Sequence, residues 1–263
     1  MTVPMKDRCD EMQAFYACLW STDKWGRAEP NEDERQRMAA ITALMALWRE
    51  TAEGLRILDL GCGRGWLTHQ LSRYGQVVGV DPVPAAIERA RSLFPALDFR
   101  VADAGSALAQ FGAEAFDLIV SSEVIEHIPD AEKRDFLRTI RQMLAPGGAL
   151  ILTTPRGEAW RGWRYWHPED QPVEEWVREA DLPALCRSAG LVVCARRRVF
   201  VTGTWHSWLS RVVTARRLSP LMERLRNFPP VRGLRYHCSI YQAVLCRPEE
   251  EMSGPCGAGR RVE

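Results

Sequence analysis

The spacing of apolar positions changes several times along this chain, and the changes divide it. In the first fifty residues apolar side chains recur every three or four positions. Met12, Phe15, Tyr16 and Leu19 predict a short helix over about 7–20. After a turn through Gly26 and Pro30, Met38, Ile41, Leu44, Met45 and Leu47 predict a second helix from about Asp33 to Arg49. From Leu55 onward, short apolar runs alternate with amphipathic stretches. They predict strands over 55–60, 76–80, 97–101, 116–120 and 149–153, with helices over 65–74, 84–93 and 131–144. Leu144-Ala145-Pro146-Gly147-Gly148 closes the last helix as a stop and turn. Strands that alternate with helices imply an α/β fold with a doubly wound, mostly parallel sheet.

Past Pro155 the texture changes. Trp160, Trp163, Tyr165, Trp166 and His167 crowd together, followed by Pro168, Pro172 and Trp176. This segment reads as a cap inserted over the carboxyl edge of the sheet, where doubly wound proteins bind ligands. A helix over 178–189 and strands over 191–199 and 239–245 then bring the sheet to seven strands. From Pro248 the glycine- and charge-rich end reads as a disordered tail.

Composition narrows the class. A length of 263 residues suits one large α/β domain with an insertion, and a net charge of +1 gives no general attraction to nucleic acid or membranes. Eight cysteines without a C-x-x-C pair argue against structural zinc and for reduced thiols in a cytoplasmic protein. The polar first ten residues show no apolar signal core, and no apolar run is long enough to span a bilayer.

The chemistry is concentrated where the first strand ends. Ile57-Leu58-Asp59-Leu60-Gly61-Cys62-Gly63-Arg64-Gly65 is an apolar run closing on a carboxylate, then three glycines at alternate positions. Glycine lets the backbone turn sharply and approach a ligand. A dinucleotide fingerprint would place its third glycine where this chain has Trp66, and Asp59 would repel a pyrophosphate. That disfavours a nicotinamide dehydrogenase. Asp59 suits a ligand bearing an ammonium group. Asp81, closing the second strand, stands where a carboxylate can accept both ribose hydroxyls of a nucleoside.

In these features the sequence resembles the class I S-adenosylmethionine-dependent methyltransferases, well over about residues 36–155 and in outline beyond. The run Ser122-Glu123-Val124-Ile125-Glu126-His127 is similar to one in ubiquinone-biosynthesis O-methyltransferases. The resemblance implies S-adenosylmethionine as cofactor. Asp59, Gly61, Gly63, Asp81, Asp103 and Ser122 would line its pocket, Asp103 reaching the adenine amino group. Arg37 would meet the cofactor carboxylate, or lie solvated beside Glu34. It implies N-terminal lid helices (1–54), a cofactor half (55–154), a cap and acceptor half (155–247) and a tail (248–263).

On a helix, Glu123, Glu126 and His127 would share one face. His127, with Glu126, is expected to serve the acceptor side as base or orienting group. The resemblance leaves a divalent metal held by all three as an alternative, although carboxylates in a first helical turn are favoured by the macrodipole alone. His167 is a second, weaker base candidate. The expected acceptor is a small molecule, methylated at a hydroxyl rather than an amine, and the tryptophans suit a sugar or aromatic ring. Ten arginines and one acidic residue, Glu223, lie between Arg196 and Tyr236, which would suit a lipid-linked acceptor or an anionic membrane surface. DNA is not an expected partner. An RNA 2′-O-methyltransferase and a non-catalytic cofactor-binding module are the rival readings.

Overall fold

A computed structural model describes residues 14, 15, 18, 27–49, 53–160, 173–201 and 239–252. The predicted helix over 7–20, the cap residues Trp163, Trp166 and His167, and the arginine-rich segment beyond 201 therefore lie largely outside the described residues.

The alternating pattern becomes one seven-stranded sheet of order β3-β2-β1-β4-β5-β7-β6. Its strands are β1 (Leu55–Leu60), β2 (Gly75–Asp81), β3 (Asp98–Val101), β4 (Phe116–Ser122), β5 (Leu144–Pro155), β6 (Leu191–Val201) and β7 (Ser239–Pro248). Strands β1 to β5 pair in parallel, and β7 lies antiparallel between β5 and β6. The chain runs outward from β1 to β3 and returns to β4 on the other side of β1. The crevice between the carboxyl ends of β1 and β4 is thus the switch point at which ligands bind.

Helices cover both faces. On one side α1 (Glu32–Trp48) and α2 (Trp66–Leu71) pack Ile41, Leu44, Met45, Trp66 and Leu67 onto Ile57, Leu118, Val120 and Ile151. On the other, α4 (Ala104–Phe111), α5 (Asp130–Met143) and α6 (Leu182–Ser188) cover Leu58, Ile119, Leu150 and Val244. Between these in the chain, α3 (Pro84–Leu93) packs Ile87 and Ala90 against Phe99 in a smaller cluster. Among the described residues no helix is long and apolar enough to cross a membrane.

Four local expectations need correction. Leu47 points outward, because the buried stripe of α1 runs through Ala40, Ile41, Leu44 and Met45. Helix α4 has no counterpart in the periodicity: its eight residues are mostly small and bury only Ala107. Leu144–Gly148 is the start of β5, set off by a register shift against β4 and by the left-handed Gly147. After β7 the chain forms a 3-10 turn over Glu249–Met252, whose Glu251 accepts the Gly147 amide at 2.7 Å.

Helix α1 begins for a local reason. Asn31 caps it, accepting the Glu34 amide at 2.9 Å, and Glu34 accepts the Asn31 amide at 2.8 Å. Glu32, Asp33 and Glu34 occupy the first turn, where the helix dipole favours negative charge.

Candidate active site

The glycine turn follows β1 directly. Gly61, Gly63 and Gly65 have φ of 81°, 52° and 82°, left-handed values that explain glycine at alternate positions. A Cβ on Gly61 would also stand 2.2 Å from Val124 Cγ2. The turn is fastened to β2: the amides of Gly61 and Cys62 both donate to the Val80 carbonyl, at 2.8 and 2.9 Å. Next along β2, Asp81 accepts the Gly63 amide on Oδ2 and the Val83 amide on Oδ1, each at 2.9 Å. Asp81 therefore faces the turn. Burial pushes its carboxyl up to about 6 against the lowering effect of those two amides.

Asp59 is 1% exposed. Thr68, on α2, donates its hydroxyl to Asp59 Oδ2 at 2.6 Å, and Asp59 Oδ1 is buried with no hydrogen-bond partner. Burial raises this carboxyl to about 7, opposed by Thr68 and reinforced by the charge of Asp81.

Arg37 crosses towards β4. It is buried rather than solvated, and Glu34 pairs with Arg64 instead. The Arg37 guanidinium lies 3.5 Å from Glu123 and over the Tyr241 ring at 5.5 Å, while its Nε has no partner. Burial lowers the Arg37 pKa, but Glu123, Tyr241, Glu34 and Asp33 together raise it above the ordinary value. Ser122, at the end of β4, hydrogen-bonds Thr153 on β5 at 2.9 Å between hydroxyls. Asp103 is exposed and caps α4, accepting the Ser106 amide at 2.7 Å.

The Glu123, Glu126 and His127 constellation forms differently from the expected helical face. Glu123 has a left-handed φ of 60° and donates its amide to the Thr153 carbonyl, so it still belongs to the sheet edge. A 3-10 turn over Ile125–His127 follows, and Pro129 separates it from α5. A non-glycine residue held at positive φ costs on the order of 1 kcal/mol and is a frequent mark of functional sites. Thr153 donates to Glu123 at 2.7 Å and Thr154 to Glu126 at 3.1 Å. Burial and the charge of Glu126 push Glu123 up to about 8, and burial pushes Glu126 up to about 7.

The His127 Nδ1 lies 3.0 Å from the Val173 carbonyl and its Nε2 lies 4.0 Å from Glu126. A carbonyl only accepts, so Nδ1 carries the proton and, in the neutral ring, Nε2 keeps its lone pair. Burial lowers the His127 pKa, although the Val173 bond and the charges of Glu123 and Glu174 oppose it.

A metal ion held here would have to share these three side chains with their protein partners. Glu123 is engaged by Arg37 and Thr153, Glu126 by Thr154, and His127 by Val173. Among the described residues no group of three or more His, Cys, Asp or Glu side chains is arranged to hold one. Of the cap tryptophans, Trp160 and Trp176 are described, and they pack edge to face on each other at 5.1 Å. Arg196 and Arg198 lie on β6 and pair with Glu179 at 3.0 and 2.6 Å.

Residues 31–195 match a family model described as a methyltransferase domain. The chain belongs to the class I S-adenosylmethionine-dependent methyltransferases. Over 108 residues the methyltransferase is 44% identical to the human mitochondrial ubiquinone biosynthesis O-methyltransferase, an alignment covering 38% of this chain and 29% of that protein. Over 175 residues it is 33% identical to the Rhizobium etli ubiquinone biosynthesis O-methyltransferase, covering 60% of this chain and 69% of that one. Its match therefore spans less than a third of the human relative's length. The fold is shared with the N-methyltransferase NodS from Bradyrhizobium japonicum in complex with S-adenosyl-L-homocysteine. There the TM-score is 0.61 at 21% identity, over 91% of this chain and 99% of that one.

The crevice suits the family's cofactor, S-adenosylmethionine. Asp59 Oδ1 is a buried, unpartnered acceptor of the charge that an ammonium group complements. Arg37 Nε is a buried, unpartnered donor suited to a carboxylate. Each Asp81 oxygen takes one backbone bond and retains acceptor capacity for a hydroxyl. Sequence reasoning missed Thr68, Val124, Thr153, Thr154 and the Glu34–Arg64 pair. Their partners lie on other elements, with no local motif to announce them.

Proposed function

We propose that this protein transfers a methyl group from S-adenosylmethionine to a hydroxyl of a small-molecule acceptor. The cofactor supplies an electrophilic methyl on a sulfonium, so the protein must orient, dehydrate and, for a hydroxyl, remove a proton. In this reading Asp59 Oδ1 accepts the cofactor ammonium, Arg37 meets its carboxylate, Asp81 holds the ribose hydroxyls, and Gly61 and Gly63 let the backbone close around it. Ser122 and Asp103 complete the pocket, Asp103 beside the adenine.

His127 is the general base. One observation carries the preference for oxygen: the Val173 carbonyl engages Nδ1, which leaves a lone pair on Nε2 of an imidazole kept neutral by burial. An amine acceptor could attack without such a base, whereas a hydroxyl gains from one. Glu126, 4.0 Å from Nε2, stabilises the imidazolium formed when the proton arrives. The similarity to O-methyltransferases of ubiquinone biosynthesis supports a hydroxyl acceptor.

The test is S-adenosylhomocysteine formation across matched hydroxyl and amine acceptors, with wild type and His127→Asn. Turnover of hydroxyl acceptors that falls by at least about a hundredfold in the variant supports the reading. Turnover of amines that His127→Asn leaves unchanged overturns it.

A further inference from the structure

Three alternating glycines make a turn with little stiffness of its own, so its shape must be imposed from outside. One restraint is the Asp81 carboxylate on the Gly63 amide. A second acts on the neighbouring residue. Arg64 is 1% exposed, and its guanidinium forms a two-pronged pair with Glu34 of α1, Nη1 to Oε1 and Nη2 to Oε2, each at 2.8 Å. Its Nε donates to the Arg27 carbonyl. Glu34 is 2% exposed and is also the residue that closes the capping box of α1.

We infer that Glu34 and Arg64 are positioning residues for the cofactor. They hold the glycine turn in its binding shape from the α1 side, as Asp81 does from β2. A fully buried ion pair is weak support for stability, because the cost of desolvating both charges offsets their attraction. At this place it does something a hydrophobic pair cannot. The planar fork of arginine fixes one orientation of residue 64, and with it the backbone between Gly63 and Gly65. It also joins the turn to the first turn of α1. From there Arg37, three residues beyond Glu34, reaches Glu123 after β4. One helix thus ties together the ends of β1 and β4, the two strands that flank the crevice. A turn already ordered before binding spares the ligand that ordering cost.

The inference rests on the cofactor reading of the crevice, and the experiment separates the two. S-Adenosylhomocysteine is titrated calorimetrically into wild type, Glu34→Gln and the doubly neutral Glu34→Gln/Arg64→Met protein, with folding checked by circular dichroism. Glutamine retains the capping contact but leaves the buried Arg64 charge without its counter-ion, and the doubly neutral protein removes that charge as well. Both variants should bind about tenfold or more weakly, with kcat at saturating cofactor close to wild type. Affinity within twofold of wild type in either folded variant overturns the inference. In wild type, hydrogen exchange should show that the ligand protects the amides of 34–37 together with 61–65. Protection confined to 61–65 also overturns it. A wild type that binds no ligand instead sinks the cofactor reading.

Discussion

Thr68 donates its hydroxyl to Asp59 at 2.6 Å, and that bond decides which carboxylate oxygen remains for a ligand. Oδ2 is taken and Oδ1 is left buried with no partner. An unmatched buried acceptor is costly, on the order of 1–3 kcal/mol, so an ammonium group arriving there relieves a penalty as it binds. Asp59→Asn, which keeps the shape and removes the charge, should weaken S-adenosylhomocysteine binding about tenfold or more. Calorimetry against wild type checks this.

Several carboxyls around the crevice share one pH signature. Burial raises Asp59 to about 7, Asp81 to about 6, Glu123 to about 8 and Glu126 to about 7. Each folded-state pKa lies above the ordinary value near 4, so the folded form binds protons more tightly than the unfolded chain. Their contribution to stability is fully present below about pH 4 and is lost as pH rises towards about 8. Cofactor-free protein should therefore show a denaturation midpoint that falls across this interval. Glu123→Gln should flatten the upper part of the curve.

His127 titrates in the opposite sense. Its pKa is lowered by burial, so the ring stays neutral to a lower pH than an ordinary histidine. As a base it should give kcat/KM an acid limb below about pH 6.5. His127→Asn should remove that limb and lower kcat by about a hundredfold or more, with cofactor affinity unchanged.

Asp103 has two separable duties. It caps α4 through the Ser106 amide, and the proposed function gives it the adenine. Asp103→Ser keeps a good cap and loses the carboxylate. It should leave stability near wild type while weakening cofactor binding several-fold. Asp103→Ala should in addition cost about 1 kcal/mol in denaturant unfolding.

Gly61→Ala should be far more damaging than a typical surface change. The new methyl would stand 2.2 Å from Val124 Cγ2 at a φ of 81°. Thermal unfolding should show a loss of several degrees, and Val124→Ala should restore only part of it, since the backbone strain persists.

What the sequence revealed and what it hid follow from distance along the chain. Asp59, the glycines and Asp81 are legible because each closes or follows a strand, in a register that the alternation of strands and helices predicts. The count of seven strands and their mostly parallel arrangement follow the same logic. Glu34 and Arg64 meet across thirty positions, and Thr153 and Thr154 reach Glu123 and Glu126 from the next strand. Such pairings exist only once the sheet is assembled. Helix α4 escaped because Ala104–Phe111 is short and rich in small residues, so its cap Asp103 stood out while the helix did not. Glu123, Glu126 and His127 do draw together, but through a strand end and a 3-10 turn, since Pro129 follows too closely for one helix to carry all three.

The most direct measurement is a calorimetric titration of S-adenosylhomocysteine into wild type and Asp81→Ala. The account predicts one site per chain in wild type and affinity at least about tenfold to a hundredfold lower in the variant, from losing charge-assisted bonds to the ribose. Equal affinity in the two proteins would contradict it.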